Sequence, residues 1–148
     1  MPELTLQTLS HANARAVLRL QIVPEQNGFV ASNADSVADA YVDRSLQPLA
    51  IYADDELVGF VMYGLETETG RWWVIRLMID ERFQRRGYGR AAMLALIDLM
   101  REQHGCRSIV LGVDAGNEGA IRLYEGLGFS ATGEVEHDET IMRLDLGS

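Results

Sequence analysis

In the segment Gln84-Arg85-Arg86-Gly87-Tyr88-Gly89-Arg90, two glycines sit among three arginines at the point where a helical pattern begins. A helix start leaves several backbone N–H groups unpaired, and the helix dipole places partial positive charge there. Glycines at 87 and 89 remove the side chains that would hold a phosphate away from those groups. Arg85, Arg86 and Arg90 add donors and charge. The chemistry that fits is the binding of a diphosphate. No Lys-Ser/Thr pair follows, which excludes a Walker A loop, and the third glycine of the dinucleotide fingerprint is missing. Alone, the pattern is equally that of a glycine-containing turn carrying surface arginines.

A second group is Asn117-x-x-Ala120-x-x-Leu123-Tyr124, followed by Gly126-Leu127-Gly128-Phe129. Asn117 suits a helix N-cap. Tyr124 comes seven residues later, about two turns on, and so falls near the same face. A tyrosine there is either a packed core aromatic or a hydroxyl beside the diphosphate unit.

These groups need a scaffold. Leu4–Leu6 reads as a short strand, and Ala12–Ile22 as a helix through Ala16, Val17 and Leu20. Beyond Pro24, Ser32 or Asn33 is expected to cap a second helix with Asp35 in its first turn and Val37, Ala40 and Tyr41 on its buried face. Strands follow at Ala50–Ala53, Leu57–Leu65 and Trp72–Ile79. A helix over Tyr88–Gln103 buries Met93, Leu96, Ile97 and Met100 and stops at His104-Gly105. The remainder reads as a strand (Ser108–Val113), a helix (Gly119–Leu127) and two strands (Ser130–Glu134, Thr140–Leu146). The order predicts one α/β domain with a mixed sheet spanning residues 1–148.

The formal charge of −9 makes nucleic acid an unlikely partner. No apolar run reaches the roughly 20 residues that span a bilayer, so no membrane partner is expected. Met1-Pro2-Glu3-Leu4 lacks a signal-peptide pattern, and the lone Cys106 has no internal disulfide partner; a cytoplasmic protein is expected. Charge is distributed unevenly. Residues 1–60 carry −5, whereas 82–107 carry +4. That division suits a solubilising acidic surface first, and second a cationic ligand held against an anionic one.

Gln84-x-x-Gly87-x-Gly89 resembles the acyl-CoA-binding motif of the GNAT acetyltransferases, and Asn117…Tyr124-Glu125-Gly126-Leu127-Gly128-Phe129 resembles the second half-site of that family. With the element order, the resemblance covers about residues 4–146. It implies an α/β (α+β) fold with a central mixed, splayed sheet flanked by about four helices. It further implies acetyl-CoA as co-substrate, without a metal. Leu77, Met78 and Ile79 would then meet the pantetheine and thioester in the gap of the splay. Gln84, Arg85, Arg86, Gly87, Tyr88, Gly89 and Arg90 would form the pyrophosphate loop. Asn117 would bond the pantetheine arm, and Tyr124 would protonate the departing thiolate. A backbone N–H near Met78 would stabilise the oxyanion. Where many family members carry a glutamate, this chain has Ile75 and Gly112, which leaves Glu25, Asp80 or a water chain for the proton.

Glu25-Gln26, Phe29–Asn33 and Ser36, together with Trp72–Asp80, look like the bacterial spermine/spermidine (diamine) acetyltransferases. That resemblance implies a small cationic amine as partner, suited to the acidic front of the chain. Glu25, with Tyr63 and Trp72 as cation–π walls, is the expected acceptor groove, with a core role the equal alternative for both aromatics. Competing readings are a peptide or protein N-terminus, an amino acid or antibiotic amine, or an acyl-CoA-binding module without turnover. Dimers are common in the family, so a homodimer stays open. Arg76, in an apolar strand, is expected to end in an ion pair. His104 and His137 read as surface residues.

Overall fold

The computed structural model describes residues 3–20 and 33–147. Among these, seven strands form one sheet in the order β1-β2-β3-β4-β5-β7-β6. β1 (Leu4–Thr8), β2 (Leu46–Ala53), β3 (Glu56–Glu66) and β4 (Arg71–Ile79) make an antiparallel meander. β5 (Ser108–Asp114) lies parallel to β4, a pairing that needs a long crossover, here through α3 (Tyr88–His104). β7 (Glu139–Asp145) and β6 (Ser130–Glu136) close the far edge antiparallel. The sheet is therefore mixed, as the element order predicts.

Helices cover both faces. α1 (Ala14–Leu18) and α2 (Asn33–Val42) bring Val17, Val37 and Ala40 onto Ala50, Phe60, Met62 and Met78. α3 and α4 (Glu118–Gly126) cover the other face, where Met93, Leu96 and Met100 pack on Ile51, Val61, Val74 and Leu111. α3 stops where Gly105 turns left-handed at φ 64° and donates its N–H to the Arg101 carbonyl. Tyr41 departs from expectation: it is 78% exposed. Asn33, Ser36, Val37 and Ala40 already fill the inward stripe at i, i+3, i+4 and i+7. The next residue is rotated about 100° further, toward solvent, where the Arg44 guanidinium lies 5.9 Å from its ring.

β4 is the strand that shapes the cleft. Its register against β3 shifts between Met62↔Arg76 and Tyr63↔Val74, so Ile75 is an extra, bulged residue. The bulge reverses the alternation of the strand. Trp72 and Val74 face the α3 side, and so do Leu77 and Ile79 beyond it, while Met78 turns to the α1/α2 side. Pairing between β4 and β5 is confined to Trp73↔Val110 and Val74↔Leu111, ending just before the bulge. Beyond it the two strands splay apart, and Ile75 is left 45% exposed in the gap.

Arg76 is 7% exposed, but it does not end in the expected ion pair among the described residues. Its Nε donates to Asn33 Oδ1 at 2.8 Å, and Nη1 has no hydrogen-bond partner among the described residues. Burial lowers its pKa to about 10, against the opposing pull of Asp35, so it stays charged at neutral pH. Asn33 also donates to the Val17 carbonyl at 2.9 Å, tying α1, α2 and β4 together. Asn33→Ala is expected to destabilise the fold by about 2–3 kcal/mol, because it removes a bond to a buried charge. Urea unfolding of the variant checks this, and an unchanged midpoint would refute it.

Candidate active site

The opening of the sheet continues into a cleft of about 650 Å³ between β4, β5, α2, α3 and α4. Its anion-binding end follows from local backbone chemistry. Asp80 ends β4 and caps a 3₁₀ turn at Glu81–Phe83, its carboxylate accepting from the Arg82 backbone N–H and from Arg82 Nε at 2.9 Å. Gln84 then returns its side-chain amide to the Ile79 carbonyl at 2.9 Å, anchoring the loop to the strand. Arg85 (φ 64°) and Gly87 (φ 82°) are both left-handed. Alternation of that kind curls successive N–H groups into a concave anion-binding nest. A left-handed arginine costs about 1–2 kcal/mol, strain of the sort held at functional sites. α3 starts at Tyr88 with no acidic residue in its first turn. Its positive end is thus left for a ligand.

Leu77, Met78, Ile79, Gln84, Arg85, Gly87, Tyr88, Gly89, Arg90, Asn117 and Tyr124 all line this one cleft. Arg86 does not; its guanidinium lies 5.5 Å from the centre of the Phe83 ring, outside the wall. Asn117 caps α4, accepting from the Ala120 N–H at 3.3 Å through Oδ1. Tyr124 leans edge-on against Phe129 at 5.9 Å. Burial, and then the charge of Glu139, push the Tyr124 pKa up to about 12, so its hydroxyl keeps its proton across the physiological range.

Other expected groups lie elsewhere. Tyr63 is 4% exposed and bonds His104 Nε2 at 2.9 Å, while the Trp72 ring stacks 4.5 Å from the His104 ring. The parity of β4 before the bulge turns this aromatic group under the end of α3, so neither Tyr63 nor Trp72 lines the cleft; His104 is exposed, as expected, and bonds Tyr63. Asp80 is committed to its cap and does not reach the cleft either. Glu25 lies outside the described residues, as do Gln26 and Phe29–Ser32. No local sequence pattern points to Asp39, Asp114 and Glu139, which bring carboxylates to the cleft from α2, β5 and β7. Only the long-range register of β5 with β7, which sets Asp114 opposite Glu139, reveals that pair.

The model of the acetyltransferase (GNAT) family matches residues 14–129. This chain belongs to the GNAT acetyltransferase family. It is an acetyl-CoA-dependent N-acetyltransferase, and the splayed strands and the nest before α3 fit the pantetheine and diphosphate of that co-substrate. The chain is 33% identical to a spermine/spermidine N(1)-acetyltransferase of Bacillus subtilis, over 97% of this chain and 99% of that protein. It is 37% identical to a ribosomal protein bS18-alanine N-acetyltransferase of Salmonella typhimurium, over 55% of this chain and 53% of that one. The fold superposes on a Vibrio cholerae spermidine N-acetyltransferase in complex with CoA and spermine, with TM-score 0.73 and 18% identity, covering 95% and 92% of the two chains. The relatives of this acetyltransferase thus include enzymes named for spermine and spermidine and one named for an alanine of a ribosomal protein.

Proposed function

We propose that this acetyltransferase transfers the acetyl group to a primary amine of a small polycation of the spermine/spermidine type. The observation that carries the reading is the two-signed lining of the cleft. Arg85, Arg90 and the α3 N-terminus attract the cofactor's phosphates, whereas Asp39, Asp114 and Glu139 favour a cation in the same cavity. The full-length similarity to a spermine/spermidine enzyme supports the same substrate class.

In the reaction, the neutral amine attacks the thioester carbonyl and forms the N–C bond. Negative charge moves to the carbonyl oxygen, where a backbone N–H of the unpaired stretch near Met78 stabilises it. The C–S bond then breaks, and the Tyr124 hydroxyl protonates the leaving sulfur. No cofactor chemistry beyond the thioester is needed.

A second reading has its own observation. Arg76 is among the residues that line the cleft, and its buried Nη1 has no hydrogen-bond partner among the described residues; a guanidinium there would suit the carbonyl or carboxylate of a peptide or amino-acid acceptor. Thiol release from acetyl-CoA with a panel of amines separates the two. Turnover on spermine and spermidine at micromolar KM is expected. Turnover confined to peptides or amino acids would replace the first reading with the second. Binding of acetyl-CoA without release on any amine would defeat both.

A further inference from the structure

We infer that Glu139 of β7 is the catalytic base that takes the proton from the attacking amine. The inference rests on the amine-acetylation reading above and deepens it.

Four carboxylates sit in or beside the cleft, and three are poorly placed for this work. Asp80 is consumed by its cap and by Arg82. Asp114 holds the turn before α4, accepting the Gly116 N–H through Oδ1 at 2.7 Å. Asp39 stands exposed to solvent on α2. Glu139 is half-buried and makes no side-chain hydrogen bond or ion pair among the described residues.

The position of Glu139 is specific. It is paired across the sheet with Asp114 and leans diagonally along the strand over Gly112. A Cβ built on Gly112 would lie 2.7 Å from Glu139 Oε1 and 3.2 Å from its carboxyl carbon. The absent side chain of Gly112 is therefore the space the carboxylate occupies, on the wall of the cavity that also holds Tyr124. Two acids directly opposite each other destabilise a sheet, so placing Glu139 against Asp114 is a cost to the fold.

The surroundings favour a proton acceptor. Burial first, and then Asp114, raise the Glu139 pKa, while His137 opposes them. Glu136, its neighbour across the hairpin, is held by Arg71 Nη2 at 3.3 Å, and Asp138 precedes it in the turn. A carboxylate raised toward neutrality is a better base than a solvated one. The proton balance also closes. As the N–C bond forms, the amine proton passes to Glu139; as the C–S bond breaks, Tyr124 gives its proton to sulfur. Glu139 and Tyr124 line the same cleft, so the collected proton can return to the phenolate through water there and reset both groups. The net transfer is one proton from nitrogen to sulfur.

The test is the pH profile of kcat/KM for the best amine of the panel, measured on wild type, Glu139→Gln and Asp114→Asn. Glu139→Gln should lower kcat by about 100-fold or more, abolish the acid limb and leave the acetyl-CoA KM within about twofold. Asp114→Asn should shift the acid limb to lower pH, because the neighbour that raises Glu139 is gone. The folded-state pKa of Glu139 lies above its unfolded value, so its stabilising contribution is present at low pH and lost as pH rises through it. Glu139→Gln should accordingly be at least as stable as wild type near neutrality, which a merely structural glutamate would not allow. A Glu139→Gln enzyme that keeps wild-type kcat and its acid limb overturns the inference, as does an Asp114→Asn limb that stays in place. A wild type that releases no thiol with any amine would instead defeat the reading beneath it.

Discussion

Tyr124→Phe is expected to lower kcat by about 100-fold while moving the acetyl-CoA KM by less than about twofold, in line with the loss of one positioned acid. Phenylalanine keeps the ring and its edge contact with Phe129, so packing of α4 against the core survives. What goes is the hydroxyl alone. A pKa near 12 means that the acid is fully protonated at working pH and contributes no limb of its own to the profile there. The variant should therefore keep the shape of the wild-type profile at a lower height, unlike Glu139→Gln, which should lose its acid limb. Steady-state kinetics from pH 6 to 9 make the comparison. Unchanged turnover would remove Tyr124 from the chemistry.

That pair of residues shows where the sequence is legible and where it is not. Tyr124 is reached by local spacing, since Asn117 caps a helix that carries it two turns later. The nest before α3 is equally local, a matter of glycines and arginines within seven residues. Glu139 depends on strand register between segments 25 residues apart, and no short-range pattern encodes that. The bulge at Ile75 has the same character. Seen as a plain alternating strand, β4 gives no reason for Arg76 and Met78 to change faces, nor for Tyr63 and Trp72 to end beneath α3 instead of in the cleft. Arg76 itself is conspicuous in sequence, but its partner, Asn33, reads there as a helix cap rather than as the anchor of a buried guanidinium. Patterns within one element are recoverable; contacts set by sheet irregularities are not.

Gly89→Glu separates folding from cofactor binding in opposite directions. A Cβ at position 89 would lie 3.7 Å from Leu123 Cδ2 and 3.9 Å from Ile79 Cγ1, ordinary contact that the fold accommodates. The first turn of α3 holds no acid, so a carboxylate there complements the helix dipole, and glutamate is a better helix former than glycine. The ligand-free variant should thus be more stable than wild type by about 0.5–1 kcal/mol. The same carboxylate would stand on the cleft lining at the start of α3, beside the proposed diphosphate site. Repulsion between close charges at a partly shielded site is worth about 2–3 kcal/mol, which predicts an acetyl-CoA KM raised about 30- to 150-fold. Gly89→Gln, equal in size but uncharged, should fall between the two. Thermal unfolding with and without acetyl-CoA reads both effects at once. Wild type should gain stability from the ligand, and Gly89→Glu should start higher and gain almost nothing. A Gly89→Glu protein with wild-type acetyl-CoA affinity would mean that the diphosphate lies elsewhere than at the start of α3.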